Sequence, residues 1–246
     1  MVALSLLLTR RIFLKFSLAS VIGQMNAWSY SGVSDPTHWA ELSADYHTCG
    51  DGQRQSPIDL DIIKAVEKPI TFNYRPIAIN LLNNGRTIRQ TGDDGCTLTF
   101  NNKIYQLLQF HFHTPSEHTH NEQHYPMELH LVHRHHPTGE LAVVGIWIQP
   151  GKEQLELTTL SKYLPQQPGG LSKASTVVNP ENLLPKNHSL VQYSGSLTTP
   201  PCSEGVIWLM MTNPIDASAQ QIATFHQLLG DNARPLQRLP LRNIGQ

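Results

Sequence analysis

QFHFH at residues 109–113 and ELHLV at residues 128–132 are two short stretches in which polar and apolar side chains alternate. A period of two is typical of a β-strand, because successive side chains point to opposite faces of the sheet. In the first stretch Gln109 shares a face with both histidines, and the phenylalanines take the other face. In the second stretch Glu128 and His130 lie together. If the strands are neighbours, three imidazoles converge on one face and the apolar side chains pack on the other.

Further strands are predicted outward from these two, because short apolar runs bounded by turn residues recur along the chain. The clearest runs cover residues 77–82, 96–100, 141–148 and 206–211. Helical periodicity is limited to residues 217–229, with Gly230 as its stop. No internal repeat or linker divides residues 28–246, so we expect one mainly β (α+β) domain with a mostly antiparallel sheet.

The composition excludes some classes of partner. The 246-residue chain is 39% hydrophobic and 15% charged, with a formal net charge of -1. Such a chain can bury a large core, but it has no basic excess to attract nucleic acid or acidic lipid. A small neutral substrate is easier to accommodate.

The first 27 residues predict a targeting segment. They contain Arg10, Arg11 and Lys15 but no acidic residue, and an apolar, small-residue stretch follows at residues 16–23. The stretch TRRIFLK around the positive charges resembles a bacterial twin-arginine signal. The alternative is a membrane anchor, but the apolar stretch is shorter than the ~20 residues that span a bilayer. We expect cleavage near Ala27 and a periplasmic or secreted product that is not attached to a membrane.

The histidines predict a metal site. Nine of the 13 histidines lie between His111 and His136, so one interpretation is a histidine-rich loop that binds metal loosely. Three neutral imidazoles on one face instead suit Zn²⁺, and three protein ligands leave a fourth position for water, as in catalytic sites. Gln109 and Glu128 lie two residues from these ligands on the same faces, where they can accept the second ring N–H of a histidine.

Several motifs together resemble the alpha-class carbonic anhydrases. The motifs are QFHFH at 109–113, SEH at 116–118, MELHLVH at 127–133 and SLTTPPCSE at 196–204, with WSY at 28–30, QSPID at 55–59, NNG at 83–85 and NARP at 232–235 in family order. The resemblance implies that family's fold, a single domain around a large twisted central sheet with a few short peripheral helices. It implies one Zn²⁺ per chain on His111, His113 and His130, and reversible hydration of CO₂ to bicarbonate and a proton by zinc-hydroxide attack. A monomer or a homodimer is consistent with it.

The resemblance also implies roles for other residues. Thr198 would orient the hydroxide while donating its own proton to Glu117, and Thr199 would contact bicarbonate. Asn232 would support the metal ligands together with Gln109 and Glu128. The apolar side chains that would hold CO₂ are Val132, Val143, Leu197, Val206 and Trp208. Taken alone, these five would be ordinary core residues.

Two arginines depart from the family pattern. Fast members of the family place a proton-relaying histidine directly after NNG, where this chain has Arg86. A guanidinium stays charged and cannot relay a proton, so we expect slower proton shuttling. Tyr30 or His47 would be the next candidates for a relay. The other departure is Arg89, which either helps bicarbonate to arrive or forms salt bridges with acidic neighbours.

The cysteines predict one disulfide. Three are present, and in an oxidising compartment two of them pair, although spacing alone leaves three possible pairs. The resemblance to exported bacterial members selects Cys49 with Cys202 and leaves Cys96 free.

Two rival functions use the same residues. One is a catalytically inactive binding module of the same fold, which is disfavoured because the histidines, Glu117 and Thr198 are all present. The other is a zinc buffer that uses the histidine cluster between His118 and His136.

Overall fold

The computed structural model describes residues 28–60 and 69–238. The predicted export signal and its cleavage site near Ala27 lie outside the described residues. The strands are β1 Asp59–Leu60, β2 Ile70–Asn73, β3 Ile77–Asn83, β4 Ile88–Thr91, β5 Thr97–Phe100, β6 Lys103–His113, β7 Thr119–His120, β8 Gln123–His124, β9 Met127–Arg134, β10 Leu141–Pro150, β11 Leu171–Val178, β12 Leu190–Ser196, β13 Glu204–Met211 and β14 Ile215–Ala217. The helices are α1 Trp39–Leu42, α2 Thr48–Asp51, α3 Leu155–Ser161 and α4 Ala219–Leu229.

One large sheet organises these elements. Its strand order is β11-β3-β4-β6-β9-β10-β13-β12, with β14 paired to β10, and with β5 joining β2 to β6. Within this sheet the pairs β10–β13 and β10–β14 are parallel, and the other described pairs are antiparallel. The prediction of a mainly β fold with a mostly antiparallel sheet and few short helices is therefore confirmed.

The two faces of the sheet are covered differently. On one face the apolar side chains of β6, β9 and β10 pack against α3 and α4, in a core that includes Phe110, Leu131 and Phe225. The opposite face carries the three histidines and a smaller apolar cluster that includes Trp147 and Trp208. We call this second surface the histidine face.

A β-bulge in β6 places the histidines on their face. The β6–β9 register shifts between Leu107 and Gln109. Tyr105 and Leu107 lie in the core before the bulge, and Phe110 and Phe112 lie in it after the bulge. The extra residue changes which positions point inward, and bulges commonly re-aim side chains beside functional sites. The sequence pattern predicted the alternation at residues 109–113 but not this shift.

Helix α4 agrees with its prediction apart from its start. It covers Ala219–Leu229, two residues fewer than predicted. The Ser218 side chain accepts a hydrogen bond from the Gln221 backbone N–H, and the Gln221 side chain accepts from the Ser218 backbone, which is a capping box. Gly230 ends the helix with a φ of 62°, as expected of a glycine stop.

The predicted disulfide is present. Cys49 in α2 is bonded to Cys202, which follows the SLTTPP stretch, and their Cα atoms are 5.0 Å apart. Cys96 is free and buried. The bond packs beside Trp39 in a third apolar cluster, which also includes Trp28 and Tyr30. No helix among the described residues is long and apolar enough to cross a membrane.

Candidate metal centre

Three histidines on neighbouring strands meet at the centre of the histidine face. His111 on β6 lies directly opposite His130 on β9, and His113 is two residues further along β6. One ring nitrogen from each of these histidines lies within 4.8 Å of the others. The convergence that the alternation predicted is therefore present in the structure.

The second ring nitrogen of each histidine is held by an acceptor. His111 Nδ1 donates to Gln109 Oε1 at 2.9 Å, and His130 Nε2 donates to Glu128 Oε1 at 2.6 Å. His113 Nδ1 donates to the backbone oxygen of Asn232 at 2.8 Å. These hydrogen bonds fix the tautomers, so that His111 Nε2, His113 Nε2 and His130 Nδ1 keep their lone pairs for a shared ligand.

Burial favours the neutral form of His111 and His113. It lowers the pKa of His111 well below the usual histidine value, and the neighbouring imidazoles and Arg89 lower this pKa further. Burial also lowers the pKa of His113, against the opposing influence of Glu117. Neutral imidazole is the form that binds a metal ion.

The donor set fits a zinc ion. His113 Nε2 is buried and has no hydrogen-bond partner among the described residues. A buried nitrogen in this position would be costly unless something binds it. Three imidazole nitrogens, each oriented by an outer acceptor, match the ligand set of catalytic zinc sites.

In a second cluster of possible metal ligands, direct hydrogen bonds account for the short distances between the side chains. His118, Glu128 and His130 also lie close together. However, Glu128 Oε1 contacts His118 Nδ1 at 2.7 Å, and His118 Nε2 lies 2.6 Å from the Tyr193 hydroxyl. Burial raises the pKa of Glu128, but His118 and His130 outweigh burial and bring this pKa well below its ordinary value. Glu128 is therefore an ionised acceptor that supports His130.

Glu117 lies next to the centre. Its Oε2 is 3.5 Å from His113 Nε2 and 3.9 Å from His130 Nδ1, while its Oε1 accepts a hydrogen bond from the Arg234 backbone N–H at 2.9 Å. Its Oε2 has no hydrogen-bond partner among the described residues. The predicted bond from Thr198 is thus not formed in this structure, and it remains a prediction.

Thr198 and Thr199 lie on the loop between β12 and β13. The loop is closed by backbone hydrogen bonds, from Leu197 N to Ser203 O at 3.0 Å and from Cys202 N to Thr199 O at 2.9 Å. The disulfide at Cys202 also holds the loop. Thr198 is buried in this position.

The five predicted pocket residues belong to one apolar cluster. Val143, Val206 and Trp208 are buried in it, and Val132 and Leu197 pack against it. The Trp208 ring centroid is 4.9 Å from that of His130, so the cluster lies directly beside the metal centre. That CO₂ binds in this cluster remains a prediction.

Arg86 is bound to the N-terminal part of the described chain. Its Nε donates to the Trp28 backbone oxygen at 3.0 Å, and its guanidinium lies 4.0 Å from the centre of the Trp28 ring. Burial raises the pKa of Tyr30 well above its ordinary value of 10.0, and Glu117 adds to this effect. Tyr30 therefore stays protonated at neutral pH. His47 is exposed, and its Nδ1 lies 2.9 Å from the Ala44 backbone oxygen.

Sequence reasoning assigned no role to Arg234, which organises one side of the site. Its side chain is buried, with Nη1 donating to Gln55 Oε1 at 2.9 Å and Nη2 donating to the Cys49 oxygen at 2.9 Å. Burial lowers the pKa of Arg234 to about 10, so it remains charged at neutral pH. The NARP motif contains this residue, but an arginine in a loop gives no sign by itself that it will be buried.

Comparison with known proteins gives a consistent result. A family model described as eukaryotic-type carbonic anhydrase matches residues 34–245. A carbonic anhydrase of Nostoc sp. is 42% identical over 219 residues, which span 86% of this chain and 83% of that relative. A carbonic anhydrase of Klebsiella pneumoniae is 39% identical over 239 residues, which span 94% of this chain and 96% of that relative.

Solved structures agree with the sequence relatives. The alpha-carbonic anhydrase of Thermovibrio ammonificans, solved in complex with the inhibitor sulfanilamide, is similar with a TM-score of 0.85 and 41% identity, covering 89% of this chain and 98% of that one. The alpha-carbonic anhydrase of Photobacterium profundum gives a TM-score of 0.83 and 40% identity, covering 89% and 99%.

Proposed function

Because this chain belongs to the alpha-class carbonic anhydrase family, we propose that it hydrates CO₂ reversibly with one zinc ion held by His111, His113 and His130. Membership of the family makes the chain a carbonic anhydrase, a lyase whose substrates are CO₂ and bicarbonate. The choice of metal and the roles of individual residues are our proposals.

A single observation carries the choice of metal. The three histidines direct one nitrogen each to a common point, while Gln109, Glu128 and the Asn232 carbonyl hold the other three nitrogens. A zinc ion bound there would act as a Lewis acid that lowers the pKa of a water molecule from ~15.7 to about 7, which makes a nucleophile available at neutral pH. The lower figure, about 7, is the established value for carbonic anhydrase as a class of enzyme.

We propose that Glu117 and Thr198 orient this nucleophile. A carboxylate can only accept a hydrogen bond, so a Thr198 hydroxyl that donates to Glu117 must accept from the water or hydroxide on its other side. The buried, unpartnered Oε2 of Glu117 supports this role. Thr199, next along the same loop, would contact bicarbonate.

We propose that the apolar cluster around Trp208 receives CO₂. The substrate carries no charge and needs a dry surface beside the nucleophile. Val143, Val206 and Trp208 are each 2% exposed, and the indole N–H of Trp208 already donates to the Ser196 backbone oxygen, so these side chains present no unpaired polar group.

We also propose that proton release is slow in this enzyme. Each hydration releases one proton that must reach solvent, and Arg86 occupies the position of the usual relay. The contacts of Arg86 with Trp28 support a structural role for its guanidinium.

Export is a further proposal. The Cys49–Cys202 disulfide supports an oxidising compartment, since such bonds are rare in a reducing cytoplasm. We therefore propose a periplasmic or secreted enzyme.

The metal content of the purified protein tests the proposed function. We expect one zinc per chain after dialysis, loss of CO₂ hydration when a chelator removes the metal, and recovery when zinc is added back. Several weakly held ions per chain, or hydration that persists without metal, would contradict the proposal and favour the zinc buffer.

A further inference from the structure

Arg89 is a positive charge on the histidine face that the proposed mechanism does not use. It lies on β4, directly opposite His111 in the β4–β6 ladder. Residues opposite each other in an antiparallel pair project from the same face, with Cβ atoms about 5 Å apart. Arg89 therefore begins within about 5 Å of a metal ligand, on the side from which substrate must approach.

Several other basic groups have partners that restrain them. Arg54 pairs with Glu204, and Lys103 pairs with Glu140 at 2.7 Å. Arg75 pairs with Asp93.

Arg89 differs from these groups. It is exposed, and it makes no ion pair or side-chain hydrogen bond within residues 28–60 and 69–238. The sequence left two roles open for Arg89. One of them, a salt bridge with an acidic neighbour, is not formed among the described residues. Of the two carboxylates beside the metal centre, Glu128 contacts His118 and His130, and Glu117 accepts through Oε1 from the Arg234 backbone, so neither is paired with Arg89. The charge of Arg89 therefore remains available to a mobile anion.

We propose that Arg89 forms an anion-attracting subsite beside His111 for small monovalent anions of the bicarbonate class. This inference rests on the proposed function, because it assigns a partner to the same site. A free guanidinium offers a planar set of N–H donors that matches a carboxylate-like anion. Arg89 attracts bicarbonate but not CO₂, since CO₂ carries no charge.

The equilibrium constant of CO₂ hydration limits which kinetic quantities the charge of Arg89 can change. At a given pH it fixes the ratio of kcat/KM for hydration to kcat/KM for dehydration, so Arg89 cannot favour one direction in that quantity. Its influence must appear in the affinity for anions and in the dependence of that affinity on salt. Salt at 0.1 M screens charges over a Debye length of about 10 Å, so added salt should weaken the attraction between Arg89 and the anion.

The test measures the dissociation constant of thiocyanate, a small unreactive anion, by calorimetric titration of the zinc-loaded enzyme at low and high ionic strength. We expect Arg89→Gln to weaken binding about three- to tenfold at low ionic strength and by a smaller factor in salt. Arg89→Lys keeps the charge and should bind nearly as wild type does. Lys162→Gln is the matched control, because Lys162 is exposed at the end of α3, which packs on the opposite face.

Two results would overturn the subsite. One is an Arg89→Gln variant that binds thiocyanate as tightly as wild type at low ionic strength. The other is a Lys162→Gln variant that loses as much affinity, since the effect would then come from overall charge. Either result in an enzyme that holds zinc and hydrates CO₂ leaves the proposed function intact. A wild-type protein without zinc or hydration would refute both.

Discussion

Among the individual residues of the site, Thr198 is the one whose substitution should separate metal binding from catalysis most clearly. Thr198 lies on a loop and is not one of the three converging ligands. We expect Thr198→Ala to retain zinc but to slow CO₂ hydration about 100-fold, which is typical for the loss of one positioned catalytic group. Metal analysis and stopped-flow rates on the same preparation check this. Loss of zinc from Thr198→Ala would show that the assigned role is wrong.

Arg86 is the second residue with a specific kinetic consequence. An acid of pKa about 7 loses protons to water at roughly 10³ per second, so faster turnover needs a relay. We expect kcat to rise with the concentration of imidazole-type buffers, and Arg86→His to raise kcat at low buffer. The ratio kcat/KM should hardly change, because it reports the CO₂ step that precedes proton release.

The control for this prediction is Arg86→Gln. It removes the contacts of the guanidinium with Trp28 without adding a relay, so it should not raise kcat. A wild-type enzyme whose turnover is fast and independent of buffer would require another proton carrier. His47 is then the next to test, because Tyr30 stays protonated at neutral pH.

Among the strands, those in which apolar and polar side chains alternate strongly were predictable from the sequence, and the mainly polar strands were not. The strands at residues 109–113 and 127–133 were found because one face is apolar and the other is dominated by polar groups. Strand β11 was missed because most of its side chains are exposed, so it has no apolar face to detect. Strand β12 was missed because it contains Gly195 and polar side chains that are buried with partners on other elements, such as Tyr193, which contacts His118.

The parts of the site that lie along one strand were predictable from the sequence, and the contacts between distant residues were not. The histidines and their acceptors Gln109 and Glu128 follow from spacing along two strands. The contact of His113 with Asn232 joins residues 119 positions apart, so no local pattern could specify its geometry. The motif resemblance supplied Asn232, whereas the buried position of Arg234 required the structure.

Gly92 lies against the bulge that places the histidines. Its N–H donates to the Leu108 oxygen at 2.8 Å, and a Cβ at this position would lie 2.1 Å from the Leu107 oxygen. We expect Gly92→Ala to lower the free energy of unfolding by about 1–3 kcal/mol and to weaken zinc retention, because the backbone at the bulge must move. Urea unfolding and metal analysis measure the two effects.

Gly139→Ala is the comparison variant. Nothing lies within 4 Å of a Cβ placed there, although the φ of +75° is strained for alanine. Gly139→Ala should lower the free energy of unfolding by about 1 kcal/mol and leave zinc retention unchanged. If Gly92→Ala proved as stable as wild type and kept its zinc, the assigned role of the bulge would be refuted.

Across the chain, the disulfide ties the N-terminal helices to the loop that carries Thr198. It joins residues 153 positions apart. Gln55 Nε2 donates to the Cys202 oxygen at 3.1 Å, and Arg234 donates to the Cys49 oxygen, so both ends of the bond are connected to residues around the site. In the chain-entropy model a loop of this length contributes roughly 5 kcal/mol, and measured values are often smaller.

We therefore expect a reductant to lower the urea midpoint of the wild-type protein, corresponding to a loss of about 2–5 kcal/mol. The double variant Cys49→Ser, Cys202→Ser should start at the lower midpoint and show no response to reductant. A response that persisted in the double variant would have to come from the remaining Cys96, and the account of the disulfide would be wrong.

CO₂ hydration by this enzyme requires a metal held by three histidines, and the initial rate of hydration by stopped flow measures that requirement. The comparison is between wild type, His113→Ala and His226→Ala, the last being a control because His226 is exposed on α4, away from the three ligands. We predict that wild type and His226→Ala hydrate CO₂ at equal rates, while His113→Ala falls to the uncatalysed rate and contains no tightly bound zinc. Hydration by His113→Ala at the wild-type rate would show that His113 does not hold a metal on which catalysis depends.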